Sequence, residues 1–182
     1  MKPAVIAFSG SIASGKSTLS QEVAKTFQWK RASFGDYVRS VAQNRGIANS
    51  REVLQAIGAD LLQRDMEGFC RTVLAQADWQ LGQPLVIDGI RHVEVLDNLK
   101  QIVAPMPLFL VLVTVDESTR TNRLLERGTV DLEKYQHLEH DSTEQQVKSA
   151  LANIADLVMD SGHSLEENVE QLVSWLKHID SI

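Results

Sequence analysis

Apolar positions fall into two kinds of run along this chain. Unbroken runs occur at "AVIAF" (4–8), "PLVID" (84–88), "LFLVLVTV" (108–115) and "ADLVMD" (155–160), the pattern of strands buried on both faces of a parallel sheet. A shorter strand is expected in "WKRASF" (29–34). Between these runs the apolar residues are spaced for helices. Leu19, Val23 and Phe27 follow i, i+4, i+8, and Leu54, Ile57, Leu61 and Leu62 supply an inward face within a mostly helical block over 36–80 that is broken near "GIANS". "VEVLDNLKQIV" (93–103) and the face of Leu165, Val169, Leu172, Val173 and Leu176 complete the set. Punctuation agrees with this division. Gly89 is expected to end the third strand, "PMP" to stop the following helix, Gly128 to cap a helix over 116–127, and Ser164 with Glu167 to form a capping box. Strands alternating with helices predict a three-layer α/β fold around a five-stranded parallel sheet.

No repeat, low-complexity segment or Pro/Gly-rich linker interrupts the alternation, so residues 1–182 read as a single domain. The net charge of −6 argues against a general nucleic-acid binder, which needs a basic excess, while leaving room for a local arginine pocket. The longest apolar run is about half of what a bilayer crossing needs, and the chain enters its first strand without a leader pattern. A cytoplasmic protein without a membrane partner is the expectation. With Cys70 alone, a disulfide framework and a cysteine metal cluster are excluded, and the thiol reads as a packing residue.

The chemistry concentrates just after the first strand. "GSIASGKS" fits G-x-x-x-x-G-K-[ST] at Gly10, Gly15, Lys16 and Ser17. Glycines let successive backbone N–H groups of Ser11, Ala13, Ser14 and Gly15 turn toward one anion, and the helix that follows adds its positive end. Lys16 then supplies a point charge to the β- and γ-phosphates of ATP, the Ser17 hydroxyl a ligand for Mg²⁺, and Thr18 a contact for the α-phosphate. Such a loop works with an acidic group at a neighbouring strand end, where "LVID" places Asp88. Asp116, after the fourth strand, competes for that role but is better suited to capping the next helix.

Arginines cluster near the same strand ends: Arg39 in "FGDYVR" beside Asp36, Arg91 in "DGIRH", and Arg120, Arg123 and Arg127 in "STRTNRLLERG". Arginine forks grip phosphate oxygens in pairs, as phosphoryl transfer requires on both donor and acceptor. These segments resemble the nucleoside monophosphate kinase group of P-loop kinases. "FGDYVR" is similar to that group's "TGDLLR", "VIDGIR" to its "LLDGFPR" without the proline, and "ESTRTNRLLERG" to the arginine-bearing start of its lid. The resemblance implies that Asp36 and Arg39 approach the acceptor nucleotide, that Arg91 holds the acceptor phosphate, and that Arg123 and Arg127 contact the donor triphosphate. "LQAIGADLLQRD" and "ADLVMDSGHSLEENVEQL" resemble the deoxynucleoside monophosphate kinase and dephospho-CoA kinase branches, which implies a contribution of Gln55 and Arg64 to the acceptor site. Ser161 stands where that comparison expects asparagine.

The expectation is therefore a P-loop NTPase fold with a helical acceptor-binding region at 36–80 and a lid at 116–143. Its activity would be ATP- and Mg²⁺-dependent transfer to a small phosphorylated acceptor, foremost a (deoxy)nucleoside monophosphate, by a monomer or homodimer. Two alternatives stay open. A hydroxyl acceptor, as in dephospho-CoA, would want a general base, with Asp36 the candidate. A nucleotide-binding regulatory ATPase would use no small acceptor at all. His137 and His140, beside Glu139 and Asp141, read as a solvated part of the lid ahead of a metal pair, and His92 follows Arg91 at the acceptor side.

Overall fold

β1 (Val5–Ser9) is buried along its whole length, because it runs through the middle of the sheet with a neighbour on each side. The computed structural model describes residues 2–126 and 147–179, Lys148 by its backbone only. Around β1 stand β2 (Lys30–Ser33), β3 (Leu85–Ile90), β4 (Leu108–Thr114) and β5 (Leu157–Asp160), in the order β2-β3-β1-β4-β5 and all parallel. The continuous apolar runs are the sequence imprint of this burial on two faces.

Period two sorts the strand side chains into two cores. Val5, Ala7, Leu85, Ile87, Leu110 and Leu112 face one side. There they meet α2 (Phe34–Asn44), α3 (Arg51–Gln76) and α4 (Val93–Val103) through residues such as Phe34, Ile57, Phe69 and Leu96. Ile6, Phe8, Val86, Val111, Val113 and Met159 face the other. They pack on α1 (Lys16–Phe27) through Leu19 and Val23, and on the last helix, α7 (Leu165–Ile179), through Val169, Leu172 and Leu176. Each fully buried Leu, Ile or Phe contributes about 1.5–3 kcal/mol of transfer free energy, which makes this double core the main stabilising term. Between β4 and β5 lie α5 (Glu117–Glu126), a π-helical turn (Val147–Leu151) and α6 (Ala152–Ile154). Cys70 is buried in the first core, and burial pushes its thiol up to about 11, as befits a packing residue. No helix among the described residues is long and apolar enough to cross a membrane.

Local chemistry sets the ends of these elements. Asp116 Oδ1 accepts from Thr119 N at 2.9 Å and so caps α5. Ser164 and Glu167 make the reciprocal capping box of α7, with Glu167 N donating to Ser164 Oγ at 3.2 Å and Ser164 N to Glu167 Oε2 at 2.9 Å. Two features depart from the pattern of apolar positions. β3 does not stop at Gly89: this residue takes φ +97°, the strand bulges there, and Ile90 returns to pair with Ser9. α3 is bent at Asp65 (φ −161°, ψ 86°), whose carboxylate re-caps the second half by accepting from Gly68 N at 2.9 Å. A Cβ on Gly68 would fall 2.1 Å from Asp65 Oδ2, so a larger residue there would make this carboxylate shift. The apolar face continues across the bend, which is why spacing alone reads one uninterrupted helix.

Every strand delivers its following segment to the same edge of the sheet. The loop 10–15 leaves β1, α2 leaves β2, Arg91 leaves β3, α5 follows β4 and Ser161 follows β5. In open parallel sheets that edge is where ligands bind.

Candidate active site

One flank of the site, the loop after β1, is built mainly from backbone. Gly15, at φ +88°, is the N-cap of α1 and its carbonyl accepts from Leu19 N at 3.0 Å. Gly10 lies against β4 so closely that a Cβ would stand 2.5 Å from the Val113 carbonyl oxygen, a backbone atom that cannot yield. The loop is braced by Ser14 N donating to Ser11 O at 3.2 Å, and Ala13 holds φ +60° inside it. The first turn of α1 carries no acidic residue, so its positive end is not cancelled from within. Lys16 is 9% exposed, and its Nζ donates to the Ser11 carbonyl at 3.4 Å, folded back along the loop it serves. Ser17 and Thr18 are exposed at the mouth of the helix.

Arg123 closes this flank from α5. Its Nη1 donates to Ser161 Oγ at 2.8 Å and to the Ala13 carbonyl at 3.4 Å, while Nη2 donates to the Ser161 carbonyl at 2.8 Å. A Cβ on Gly15 would lie 3.3 Å from Arg123 Nη1, so the guanidinium stands directly over the start of α1. Gly15, Thr18, Leu19, Arg123, Ser161 and Asn168 border a cleft of about 320 Å³ beside the loop. A second cleft of about 290 Å³ opens on the β4 side, with Ser11, Ser14, Thr114 and Arg120 on its walls.

The opposite flank, at the start of α2, is built from side chains. β2 passes into α2 with no intervening loop, and Ser33 caps the helix by accepting from Asp36 N at 3.2 Å. This puts Asp36 on the first turn and Arg39 on the next, joined at 2.5 Å through Arg39 Nη2 and Asp36 Oδ1. Asp36 Oδ2 accepts from Arg31 Nη1 at 3.1 Å, and Arg31 Nη2 reaches Asp88 Oδ2 at 2.5 Å. Partial burial alone would raise the Asp36 carboxyl. Hydrogen bonds from Arg39, Arg31 and Ser33 outweigh it and hold the group below its ordinary value. Asp88 is 3% exposed and sits at the end of β3, paired in register with Phe8 of β1 just before the loop. Its second oxygen, Oδ1, is enclosed and makes no hydrogen bond among the described residues. A buried carboxylate oxygen without a donor is a suitable ligand for a cation.

Comparison with known proteins bears on the family and the fold. A family model described as an AAA domain matches residues 6–148. The chain belongs to the AAA domain family. Among curated proteins, UPF0200 protein PAE1629 of Pyrobaculum aerophilum is 28% identical over 127 residues, covering 70% of this chain and 68% of that one. Among solved structures, a putative kinase from Chloroflexus aurantiacus superposes with a TM-score of 0.62 at 21% identity, covering 98% of each chain. The APS kinase CysC of Mycobacterium tuberculosis, solved with AMPPNP and APS, gives 0.56 at 14% identity, covering 97% of this chain and 98% of that one. Likeness at these identities is likeness of fold, and the fold is the P-loop kinase-like, nucleotide-binding one.

Within this fold the structure brings the residues singled out by sequence into two groups. Gly10, Ser11, Ala13, Ser14, Gly15, Lys16, Ser17, Thr18 and Arg123 meet around the loop after β1, and Asp36, Arg39 and Asp88 meet at the start of α2 and the end of β3. Arg91 is half-buried at the exit of β3, ahead of His92, the N-cap of α4. Gln55 and Arg64 lie on α3 and join neither group by a hydrogen bond among the described residues. Gln55 is half-buried, whereas Arg64 is 74% exposed and donates to Asp60 Oδ1 at 2.7 Å. Arg127, His137, His140 and most of the expected lid lie outside the described residues. Among the described residues no cluster of three or more His, Cys, Asp or Glu is poised for a metal, so a cation here would rely on one carboxylate, one hydroxyl and the nucleotide's own phosphates.

Sequence reasoning passed over Arg31. A charge inside a strand next to "SFGD" was the available signal. Its register with Val86, two residues before Asp88, becomes visible only once β2 is paired with β3.

Proposed function

We propose that the protein is a phosphotransferase that uses ATP and Mg²⁺ to phosphorylate a small phosphorylated acceptor, a nucleoside or deoxynucleoside monophosphate before others. The observation that carries this reading is the pairing of two charged flanks on one sheet edge. The loop with Lys16 and Arg123 suits a triphosphate, and the Asp36–Arg39 pair on α2 with Asp88 at the end of neighbouring β3 suits an acceptor. On this reading residues 1–182 form one kinase unit with an acceptor region at 36–80 and a lid at 116–143.

In the transfer, an acceptor phosphate oxygen forms a bond to the γ-phosphorus while the bond from that phosphorus to the β,γ-bridging oxygen breaks, and ADP leaves with the electron pair. Loop amides and Lys16 hold the β- and γ-phosphates, Arg123 holds the donor from above, and Arg39 with Arg91 aligns the acceptor phosphate. Ser17 and Asp88 would hold Mg²⁺, which supplies neutralisation of phosphate charge when bound.

The state of Asp36 favours the phosphate acceptor over the hydroxyl one. Both of its oxygens are engaged by arginines and its carboxyl is held below the ordinary range, which makes it a weak proton acceptor. A phosphate acceptor is already ionised and needs no base. The test is ADP formation from Mg-ATP with ribo- and deoxynucleoside monophosphates, dephospho-CoA, or no acceptor. Stimulation by a monophosphate is expected. Stimulation by dephospho-CoA alone would transfer the reading to a hydroxyl acceptor, and ATP turnover indifferent to every small acceptor would favour a regulatory ATPase.

A further inference from the structure

Arg31 touches the machinery from three directions. Nε donates to Ser20 Oγ of α1 at 3.0 Å, Nη1 to Asp36 Oδ2 of α2 at 3.1 Å, and Nη2 to Asp88 Oδ2 of β3 at 2.5 Å. Ser20 is itself fixed, donating to the Ser17 carbonyl at 2.9 Å one turn from the loop. The Arg31 side chain is 16% exposed although β2 is an edge strand, so the guanidinium lies beneath the surface. A rigid, planar fork held at three corners fixes the relative positions of the groups it joins. It also divides the Asp88 carboxylate. Oδ2 is taken, and Oδ1 is left enclosed without a hydrogen bond among the described residues.

We propose that Arg31 is a positioning residue that moderates the hold of Asp88 on a divalent cation, by keeping one positive charge against Oδ2 and leaving Oδ1 alone for the metal. The inference rests on the metal role given to Asp88 above. Two like charges a few ångströms apart near a protein surface oppose each other strongly enough to alter an affinity by about an order of magnitude. A moderated grip suits an ion that must enter and leave with each nucleotide. Because the same guanidinium holds Asp36, the acceptor flank and the metal ligand are set by one side chain.

The test is Mn²⁺ titration of the full chain in the presence of a saturating non-hydrolysable ATP analogue, followed by the paramagnetic signal of free Mn²⁺. Arg31→Gln is expected to bind Mn²⁺ about tenfold more tightly, and Arg31→Lys, which keeps the charge, to stay within about threefold of the parent. Asp88→Asn is expected to weaken binding, and in that background Arg31→Gln is expected to change it by less than about twofold. Thermal melting monitors folding, and Arg31→Leu, which retains the apolar stem, carries the test if the Gln variant melts early. Unchanged or weaker Mn²⁺ binding with Asp88 intact, or an equal shift in the Asp88→Asn background, would overturn the proposal. If Asp88→Asn leaves the Mn²⁺ midpoint where it was, the metal role of Asp88 falls, and this inference with it.

Discussion

The two flanks of the site are assembled in different ways. The proposed donor flank is a contiguous stretch: residues 10–18 carry their own turn, their own helix start and their own cation, with Arg123 laid over them. The proposed acceptor flank is a side-chain lattice in which Arg31 from β2, Asp36 and Arg39 from α2, and Asp88 from β3 are joined by ion pairs. Backbone amides at a helix start cannot be mutated away singly, so on the loop side substitution acts through the glycines, Lys16, Ser17 and the Arg123 clasp. The lattice depends on side chains throughout. Breaking a pair costs little at Asp36, which is half exposed and engaged twice, and more at Asp88, whose buried carboxylate would lose its one charged partner among the described residues.

The sharpest way to separate the flanks is at Lys16. Lys16→Ala is expected to lower turnover by about 10²–10³-fold with the acceptor that passes the panel, while circular dichroism stays that of the parent, because the loop's shape is held by glycines and α1. Away from the site, Asp65→Ala removes the internal cap at the bend of α3. Urea unfolding is expected to show a loss of about 1 kcal/mol, and a variant as stable as the parent would show that Asp65 does not cap this bend.

Two gentler changes test whether donor and acceptor binding are separable. Asp36→Asn is expected to raise the acceptor KM about tenfold and leave the ATP Kd within about twofold, as read by initial rates and by calorimetry. Ser161→Ala removes one anchor of Arg123 and is expected to do the reverse, weakening ATP about fivefold with little change in acceptor KM. Equal effects of either change on both ligands would mean that the flanks act as one unit.

The smallest effect concerns pH. The Asp36 carboxyl is depressed below its ordinary value of 3.8 in the folded protein, so it adds stability above that value and loses it as pH falls through the folded one. The stability difference between the parent and Asp36→Asn, measured by denaturant midpoints, should therefore be present at pH 6 and shrink on acidification below about 3.8. Exposure of the pair to solvent keeps this difference small.

The same contrast explains what could be read from the chain. Strand runs, the loop motif, the Asp116 cap and the Ser164–Glu167 box are local patterns, and short-range physics decides them. The bulge at Gly89 and the bend at Asp65 were not legible, because the first depends on how β3 meets β1 and the second on one exposed carboxylate folding back to cap its own helix while the apolar face runs on unbroken. Arg31 was hidden for a similar reason. Its partners, Ser20, Asp36 and Asp88, span 69 sequence positions, and only the pairing of β2 with β3 brings them to one guanidinium. Arg64, by contrast, matched a family segment in sequence, and its observed partner is the neighbouring Asp60 on its own helix.

The central claim is that one edge of the sheet holds a donor triphosphate and an acceptor phosphate together. It is tested most directly by two-ended ligands, adenosine joined through five phosphates to each common nucleoside or deoxynucleoside, titrated by calorimetry against ATP. If both flanks form one site, the best of these should bind on the order of 10²-fold more tightly than ATP, Arg39→Ala should remove the advantage, and Lys16→Ala should weaken ATP and the two-ended ligand alike. Binding no tighter than ATP for the whole series, or an advantage that survives Arg39→Ala, would contradict the account.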